Sequence, residues 1–358
     1  MFSKKIAIAC AAAAALSLIG MTVQAAPTWT ALIDQSFPGF ANGESYSLRG
    51  IATSPDGRVV YGSWLHTGTG KEVVEYNASS GAVLNSTYFA DQAKSLAVDD
   101  RGYVFAGTGN DNGDTPFIQA LSADLQTSYD SVTAFAGGVN DKRFGGLATW
   151  DDGGNHYVYA TRESSHFYIQ RFLANDVNDI TLDTTFGTGG TLSLTGGYLH
   201  GLAVAPDGTI YAASTNEANA PSAANGTVYK ISADGTSATS TNVAGAFDLA
   251  LYGNNLYVSE YGAGAPGAVA VLDASTLAGV DVFNTGFSNT NTSFDSGYSG
   301  IDISPQGNIY LADQFHSSSS YSDRLLVSSA VPEPSSLALL VGLVGLALSS
   351  RRPGRNEA

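Results

Sequence analysis

The sequence predicts an all-β fold, a six-bladed β-propeller, and three observations predict it. A short phrase recurs six times at intervals of 45 to 55 residues. Each copy reads as a tight hairpin, and no amphipathic helical pattern interrupts the copies. A period near 50 belongs to propellers and solenoids, and a solenoid of this period would carry helices. Six blades of four strands are therefore expected.

The clearest copy is Gly201-Leu202-Ala203-Val204-Ala205-Pro206-Asp207-Gly208-Thr209-Ile210-Tyr211. Pro presets φ, Asp bonds its own backbone and Gly accepts positive φ, so Pro-Asp-Gly reverses the chain between two strands. The other copies begin at Gly50, Ser95, Gly146, Asp248 and Gly300, and the second strands carry Tyr61, Phe105, Tyr159, Tyr211, Tyr257 and Tyr310. Third strands follow at 72–76, 117–121, 168–172, 227–231, 268–272 and 324–327, alternating or continuously apolar as sandwiched blades require.

A strand pattern over 28–37 precedes the first copy, while the last copy runs out after its third strand. The spare leading strand fills the missing outer place and closes the ring, removing an exposed edge. A length of 358 alone suggests two domains, but a propeller absorbs about 300 residues in one closed unit.

The two ends read differently from the body. Lys4 and Lys5 precede an apolar run over 6–20 and the small-residue site Val23-Gln24-Ala25, the pattern of a secretory signal peptide cut after Ala25 by signal peptidase. Cys10, the single cysteine, falls inside it, so neither a disulfide framework nor a thiol nucleophile is expected in the mature chain. At the other end Pro332-Glu333-Pro334 precedes an uncharged apolar stretch over 337–348 and then Arg351-Arg352. A dozen apolar residues make a poor permanent span, so a short helix serving as a transient membrane anchor is expected. The expected organisation is a signal peptide over 1–25, a propeller over 26–330 and a C-terminal segment over 331–358.

The Pro-Glu-Pro triplet, apolar helix and terminal arginines resemble the PEP-CTERM sorting signal of Gram-negative bacteria. The resemblance implies cleavage near that triplet by an exosortase-type protease, a transient inner-membrane stage and delivery to the cell surface or extracellular matrix. The repeat phrases resemble NHL-type and gluconolactonase-like six-bladed propellers, most closely at Ile309-Tyr310-Leu311-Ala312-Asp313.

The net charge is −16, and removal of both ends would leave the body more negative still. Such a surface excludes nucleic acid and anionic lipid as partners and tolerates divalent cations. If first strands line the axis, the loop before each and the loop after each second strand share one face. That face collects Arg49, Lys94, Arg143, Arg162, His200 and Trp64 as candidate ligand-binding residues at a channel mouth. His66, His166 and His316 fall on the same face, where polar loops also have a plainer explanation in contact with water. The gluconolactonase-like resemblance implies a divalent cation held at the mouth by a Glu, Asn and Asp set. Glu163, Glu217, Glu260 and Asp313 stand at comparable blade positions, and oxygen ligands of this kind suit Ca²⁺.

Other chemistry finds little support. No Gly-x-Ser-x-Gly elbow or His-Glu-x-x-His pair occurs, and 110–114 begins like an EF-hand loop but has Leu121 where the bidentate Glu belongs. Gly187-Thr188-Gly189-Gly190 reads as a loop. The expected function is that of an exported, non-catalytic propeller binding exopolysaccharide or another surface protein. The alternatives are a divalent-metal-dependent lactonase or hydrolase and a purely architectural matrix component.

Overall fold

The structure, a computed structural model, describes residues 26–34, 46–66, 71–89, 93–109, 116–135, 143–163, 167–194, 198–215, 226–261, 268–287, 296–316 and 321–331. The predicted signal peptide and the residues from Pro332 onward lie outside this set. All regular elements among the described residues are strands, 25 of them in six sheets.

Strand β1 (Trp29–Asp34) stands apart from the first blade, which comprises β2 (Tyr46–Thr53), β3 (Val59–His66), β4 (Lys71–Asn77) and β5 (Val83–Tyr88). The second blade is β6 (Ala93–Val98), β7 (Val104–Thr108), β8 (Phe117–Leu121) and β9 (Ser128–Thr133). The third is β10 (Arg143–Asp151), β11 (His156–Glu163), β12 (Phe167–Asp176), β13 (Asp179–Leu182) and β14 (Thr191–Leu194). The fourth is β15 (Tyr198–Val204), β16 (Ile210–Thr215), β17 (Gly226–Ile231) and β18 (Ala238–Asn242), and the fifth is β19 (Ala246–Tyr252), β20 (Asn255–Glu260), β21 (Ala268–Asp273) and β22 (Gly279–Asn284). The sixth contains β23 (Ser296–Ile303), β24 (Ile309–His316) and β25 (Tyr321–Ser328), and its outer place is taken by β1.

That last pairing closes the ring as expected. Trp29 lies opposite Ser328 and Asp34 opposite Arg324, so the first and last described strands share one antiparallel ladder. Ser329 N–H donates to Thr28 O at 2.7 Å, and Val331 N–H donates to Gly307 O at 2.9 Å. Both ends of the described body therefore leave from the face that carries the first hairpin turns, which we call the underside.

Those turns work as their residues predict. Gly57, Gly102, Gly153, Gly208, Gly253 and Gly307 all have positive φ, between 60° and 89°, one in each blade. In four blades the glycine N–H closes a turn on the residue three before it, as Gly208 does on Ala205 O at 2.9 Å.

The core is divided among the seams. Six apolar clusters fill the six gaps between neighbouring blades; one joins Ile33, Tyr310 and Leu325 of the sixth blade to Leu48, Trp64 and Tyr76 of the first. The repeated aromatic of each second strand belongs to these seams. Tyr61 is buried and its hydroxyl reaches Ala123 O in the next blade at 2.7 Å; Tyr211 does the same to Ala274 O at 2.7 Å. Full burial of such a ring stabilises by about 2 kcal/mol, and the buried hydroxyl needs its acceptor.

One detail departs from the expected four-strand blade. The outer strand of the third blade is split: β13 and β14 both pair with β12, and the 187–190 loop turns between them. Gly187 and Gly190 sit at positive φ where a Cβ would strike the Thr191 carbonyl and the Leu182 side chain, respectively.

Candidate functional site

The first strands line the axis, as expected. The channel they enclose has a volume of about 200 Å³, and its lining runs from the start of each first strand, the mouth, toward the underside.

A device invisible in the sequence builds the mouth. In all six blades the pairing of first and second strands is interrupted at the same place by a β-bulge, between Leu48 and Ile51, Ala93 and Ser95, Phe144 and Leu147, Leu199 and Leu202, Ala246 and Leu249, and Tyr298 and Gly300. A bulge adds one residue to a strand and re-aims the side chains around it. The residue just before each repeat phrase is thereby turned to the channel, giving a ring of Arg49, Lys94, Gly145, His200, Phe247 and Ser299.

The bulges are held by side chains of the second strands. Gly50 N–H donates to Ser63 Oγ at 2.7 Å, Gly146 N–H to Thr161 Oγ1 and Asp248 N–H to Ser259 Oγ at 3.0 Å, so alternate blades satisfy an otherwise orphaned backbone donor with a hydroxyl. Gly146 and Gly201 are required by close approach: a Cβ on Gly146 would sit 2.3 Å from His200 O, and one on Gly201 2.3 Å from Asp248 Oδ1.

The ring has two characters. Arg49 and Lys94 come from neighbouring blades one and two. Across the axis, from blades four and five, the His200 ring stacks on Phe247 with centroids 4.1 Å apart, and Phe247 packs on Tyr261 at 4.7 Å. His200 Nε2 bonds Thr215 Oγ1 at 2.9 Å, which fixes the imidazole. Gly145 and Ser299, both small, separate the cationic side from the aromatic side.

Below the rim lie two carboxylates that sequence reasoning passed over. Asp248 accepts from Leu249 N–H at 2.9 Å and from Ile301 N–H at 3.1 Å. Asp302 accepts from Thr53 N–H at 2.6 Å, Thr53 Oγ1 at 2.9 Å and Ile303 N–H at 2.8 Å. Each keeps a water-accessible edge in the channel, but the surrounding strands desolvate it. Burial pushes Asp248 up to about 7 and Asp302 up to about 6. Asp302 was legible: it stands where the other five phrases have Ala52, Ala97, Ala148, Ala203 and Ala250.

Of the residues expected at the mouth, Arg49, Lys94 and His200 line the channel. Trp64, Arg162, Glu260 and Asp313 do not. They share one register position on the second strands, opposite Leu48, Phe144, Ala246 and Tyr298, and all four are buried. Trp64 belongs to the seam between blades six and one, its Nε1–H donating to Tyr76 Oη at 2.7 Å. Asp313 is paired with Arg324 at 2.5 Å, and burial pushes the Glu260 carboxyl up to about 7. The side chains of Arg143, Glu163, His66 and His316, and all of Glu217, Asp111 and His166, lie outside the described residues.

Among the described residues, none of the six ring positions carries a carboxylate or a carboxamide, and of the set expected to hold a divalent cation Glu260 and Asp313 are buried away from the channel, while Glu217 and the Glu163 side chain lie outside the described residues. Among the described residues, the trio with metal-ligand spacing is Asp99, Asp100 and His156 at the underside, and there Asp99 is engaged by the Arg101 guanidinium at 2.7 Å.

By sequence, no protein-family model and no curated protein matches the chain. By structure, it is similar to a gluconolactonase from Xanthomonas campestris, with a TM-score of 0.53 and 15% identity over 86% of this chain and 90% of that one. A chain from the mitotic checkpoint complex gives a TM-score of 0.48 at 18% identity, covering 84% of each chain. The β-propeller domain of Cps50 (Swd1) from Myceliophteria thermophila gives 0.46 at 9% identity, covering 78% of this chain and 82% of that one. Strand pairing and seam clusters make the chain a six-bladed β-propeller, and its similarity to the gluconolactonase is one of fold.

Proposed function

We propose that this protein is an exported, surface-sorted propeller that binds exopolysaccharide or another surface protein through the axial mouth, without catalysing a reaction. The observation that supports it most is the bulge-built ring, which brings Arg49, Lys94 and His200 to one opening in a chain whose net charge is −16. A few directed polar groups beside an aromatic wall are what a polar ligand requires. The export reading is supported by the apolar leader ending at Ala25 and by the Pro332-Glu333-Pro334 tail with Arg351 and Arg352. The tail makes exosortase-type processing, after a transient membrane stage, part of the same proposal.

The test is a pull-down of the purified secreted protein with native exopolysaccharide and surface extract, against the double variant Arg49→Ala, Lys94→Ala. Retention lost in the double variant supports the reading. Absence of retention by the parent protein, together with chelator-sensitive hydrolysis of a sugar lactone, would replace it with the lactonase. For the export half, N-terminal sequencing of the secreted protein should begin at Ala26, and replacing Pro332-Glu333-Pro334 with alanines should leave the protein cell-associated and unprocessed.

A further inference from the structure

We infer that Asn77 is a modification site, the acceptor of an oligosaccharide transferred from a polyprenyl-diphosphate donor outside the cytoplasm. This rests on the export half of the reading above and is independent of the axial mouth.

The sequence contains four Asn-x-Ser/Thr triplets, beginning at Asn77, Asn85, Asn225 and Asn291. N-linked transfer needs such a triplet, on an accessible part of an exported chain. Asn225 and Asn291 lie outside the described residues, and the structure separates the other two.

Asn77 stands where β4 ends and turns into β5, on the underside, and Ser79 and Ser80 after it are exposed. Its Oδ1 accepts from the Ser79 N–H at 3.0 Å, the Ser80 N–H at 3.0 Å, the Ser79 hydroxyl at 2.7 Å and the Ser80 hydroxyl at 3.1 Å. The backbone donors settle which atom of the carboxamide is oxygen, so Nδ2 is the atom turned away from the turn. Asn85 is the reverse case. It lies in the ladder opposite Glu75, and its Nδ2 donates to Glu75 Oε2 at 2.6 Å. Its nitrogen is already engaged with a buried carboxylate.

The chemistry asks for this difference. An amide nitrogen is a weak nucleophile because its lone pair is delocalised into the carbonyl. At Asn77 four donors converge on Oδ1, which stabilises negative charge there and eases loss of a proton from Nδ2. Nδ2 then bonds to C1 of the donor's first sugar. The bond from C1 to the diphosphate oxygen breaks, its electron pair leaves with the diphosphate, and the Nδ2 proton passes to a base of the transferase.

The neighbouring surface points to a bulky cover. Among the described residues six large apolar side chains are exposed, and three of them, Val83, Leu84 and Tyr88, lie on β5. This outer strand carries no charge from Val83 to Tyr88, and β4 alone pairs with it in its sheet. A bare uncharged edge invites pairing with another chain unless something covers it. Asn77 N–H donates to Ala82 O at 2.8 Å, so a glycan on Asn77 is rooted at the start of that edge and can lay its C–H faces over Val83 and Leu84. Both ends of the body leave from the same face, so a chain held by its leader or tail presents this turn to the bilayer that carries the donor.

The experiment is mass spectrometry of the protein secreted by its native host, with electron-transfer fragmentation of the tryptic peptide 72–94, which holds both Asn77 and Asn85. We expect an oligosaccharide increment on Asn77 and none on Asn85. The increment should be lost in Asn77→Gln and Ser79→Ala and kept in Ser79→Thr and Asn85→Gln. A peptide of bare mass in protein that begins at Ala26 overturns the assignment while leaving export intact, and needs no variant to fold. An increment carried by Asn85, or one that persists in Asn77→Gln, overturns the choice of site. A chain that still carries residues 1–25 overturns the export reading, and this inference with it. Ser79→Ala should also associate more readily than the parent on size exclusion; equal elution would remove the covering role from the glycan.

Discussion

Asp302 in the sixth blade accepts both the backbone N–H and the hydroxyl of Thr53 in the first, at 2.6 and 2.9 Å. The bond crosses the seam where the ring closes, in a position that is alanine in every other blade. Replacing Asp302 with Ala leaves the Thr53 N–H without its partner and should destabilise by about 1–3 kcal/mol at pH 5, read as a lower urea midpoint with unchanged slope. At pH 8 the loss should be smaller, because the substitution also removes a buried charge. An equal midpoint for variant and parent at pH 5 would show that the bond contributes nothing to closure.

The pH profile of stability follows from two opposed sets of carboxyls. Asp248, Asp302 and Glu260 are pushed by burial to about 7, 6 and 7, above their values of 3.8 and 4.5 in an unfolded chain. The folded state binds their protons more tightly, so their contribution is present below about pH 4 and is lost as pH rises through 6 and 7. Asp234, in an underside turn, runs the other way: the Ser232 hydroxyl and the Thr236 N–H and hydroxyl hold it down to about 2. Its contribution is present above pH 3.8 and lost as pH falls through 2. Chemical unfolding should therefore show greatest stability between about pH 4 and 6. Glu260→Gln should raise the midpoint at pH 8 and leave it unchanged at pH 4, flattening the alkaline side of the curve.

Removing 26–34 should expose the ladder edge of β25 and leave Ile33 out of the seam it shares with Leu48 and Trp64. The truncated protein is expected to associate or unfold at lower temperature on size exclusion and thermal melting. A synthetic peptide spanning 26–34 should restore the monomer when added in excess. Wild-type behaviour of the truncated form, without peptide, would remove the closure role from β1.

Arg324 lies 2.5 Å from Asp313, whose side chain is nearly enclosed, and its guanidinium also covers the Phe287 ring at 4.8 Å. Arg324→Met takes the guanidinium from a nearly enclosed carboxylate and should cost about 3–5 kcal/mol, whereas the double change Arg324→Met, Asp313→Leu should recover most of it. Thermal melts of the three variants form the cycle. A double variant no better than the single would mean that the pair is more than an exchangeable buried contact.

Trp64→Phe separates packing from recognition. It loses the bond to Tyr76 and part of the seam, so Tm should fall, while retention in the exopolysaccharide pull-down stays as in the parent protein.

Repetition made the fold legible and hid the site. Six Gly-terminated turns, six aromatic second strands and an unmatched leading strand each fix local geometry that only a closed ring reconciles. The mouth depended on something a strand pattern does not reveal, the extra residue in every first hairpin. Simple alternation places Trp64, Arg162, Glu260 and Asp313 on the loop face as readily as Arg49 and His200. The bulge decides between them, turning the latter to the channel while the former stay buried on the second strands. Phe247 and Ser299 escaped notice because apolar and small residues give no chemical signal until the ring positions are aligned, although the position preceding each phrase could have been compared across the six copies.

Thr28 and Val331 leave the ring together on its underside, so whatever is joined to either end departs from the face opposite the mouth. Neighbouring copies fastened by their tails to one support would all look outward. If the mouth takes a polymer as proposed, one strand crossing several such copies would be held by many brief contacts longer than by any single one.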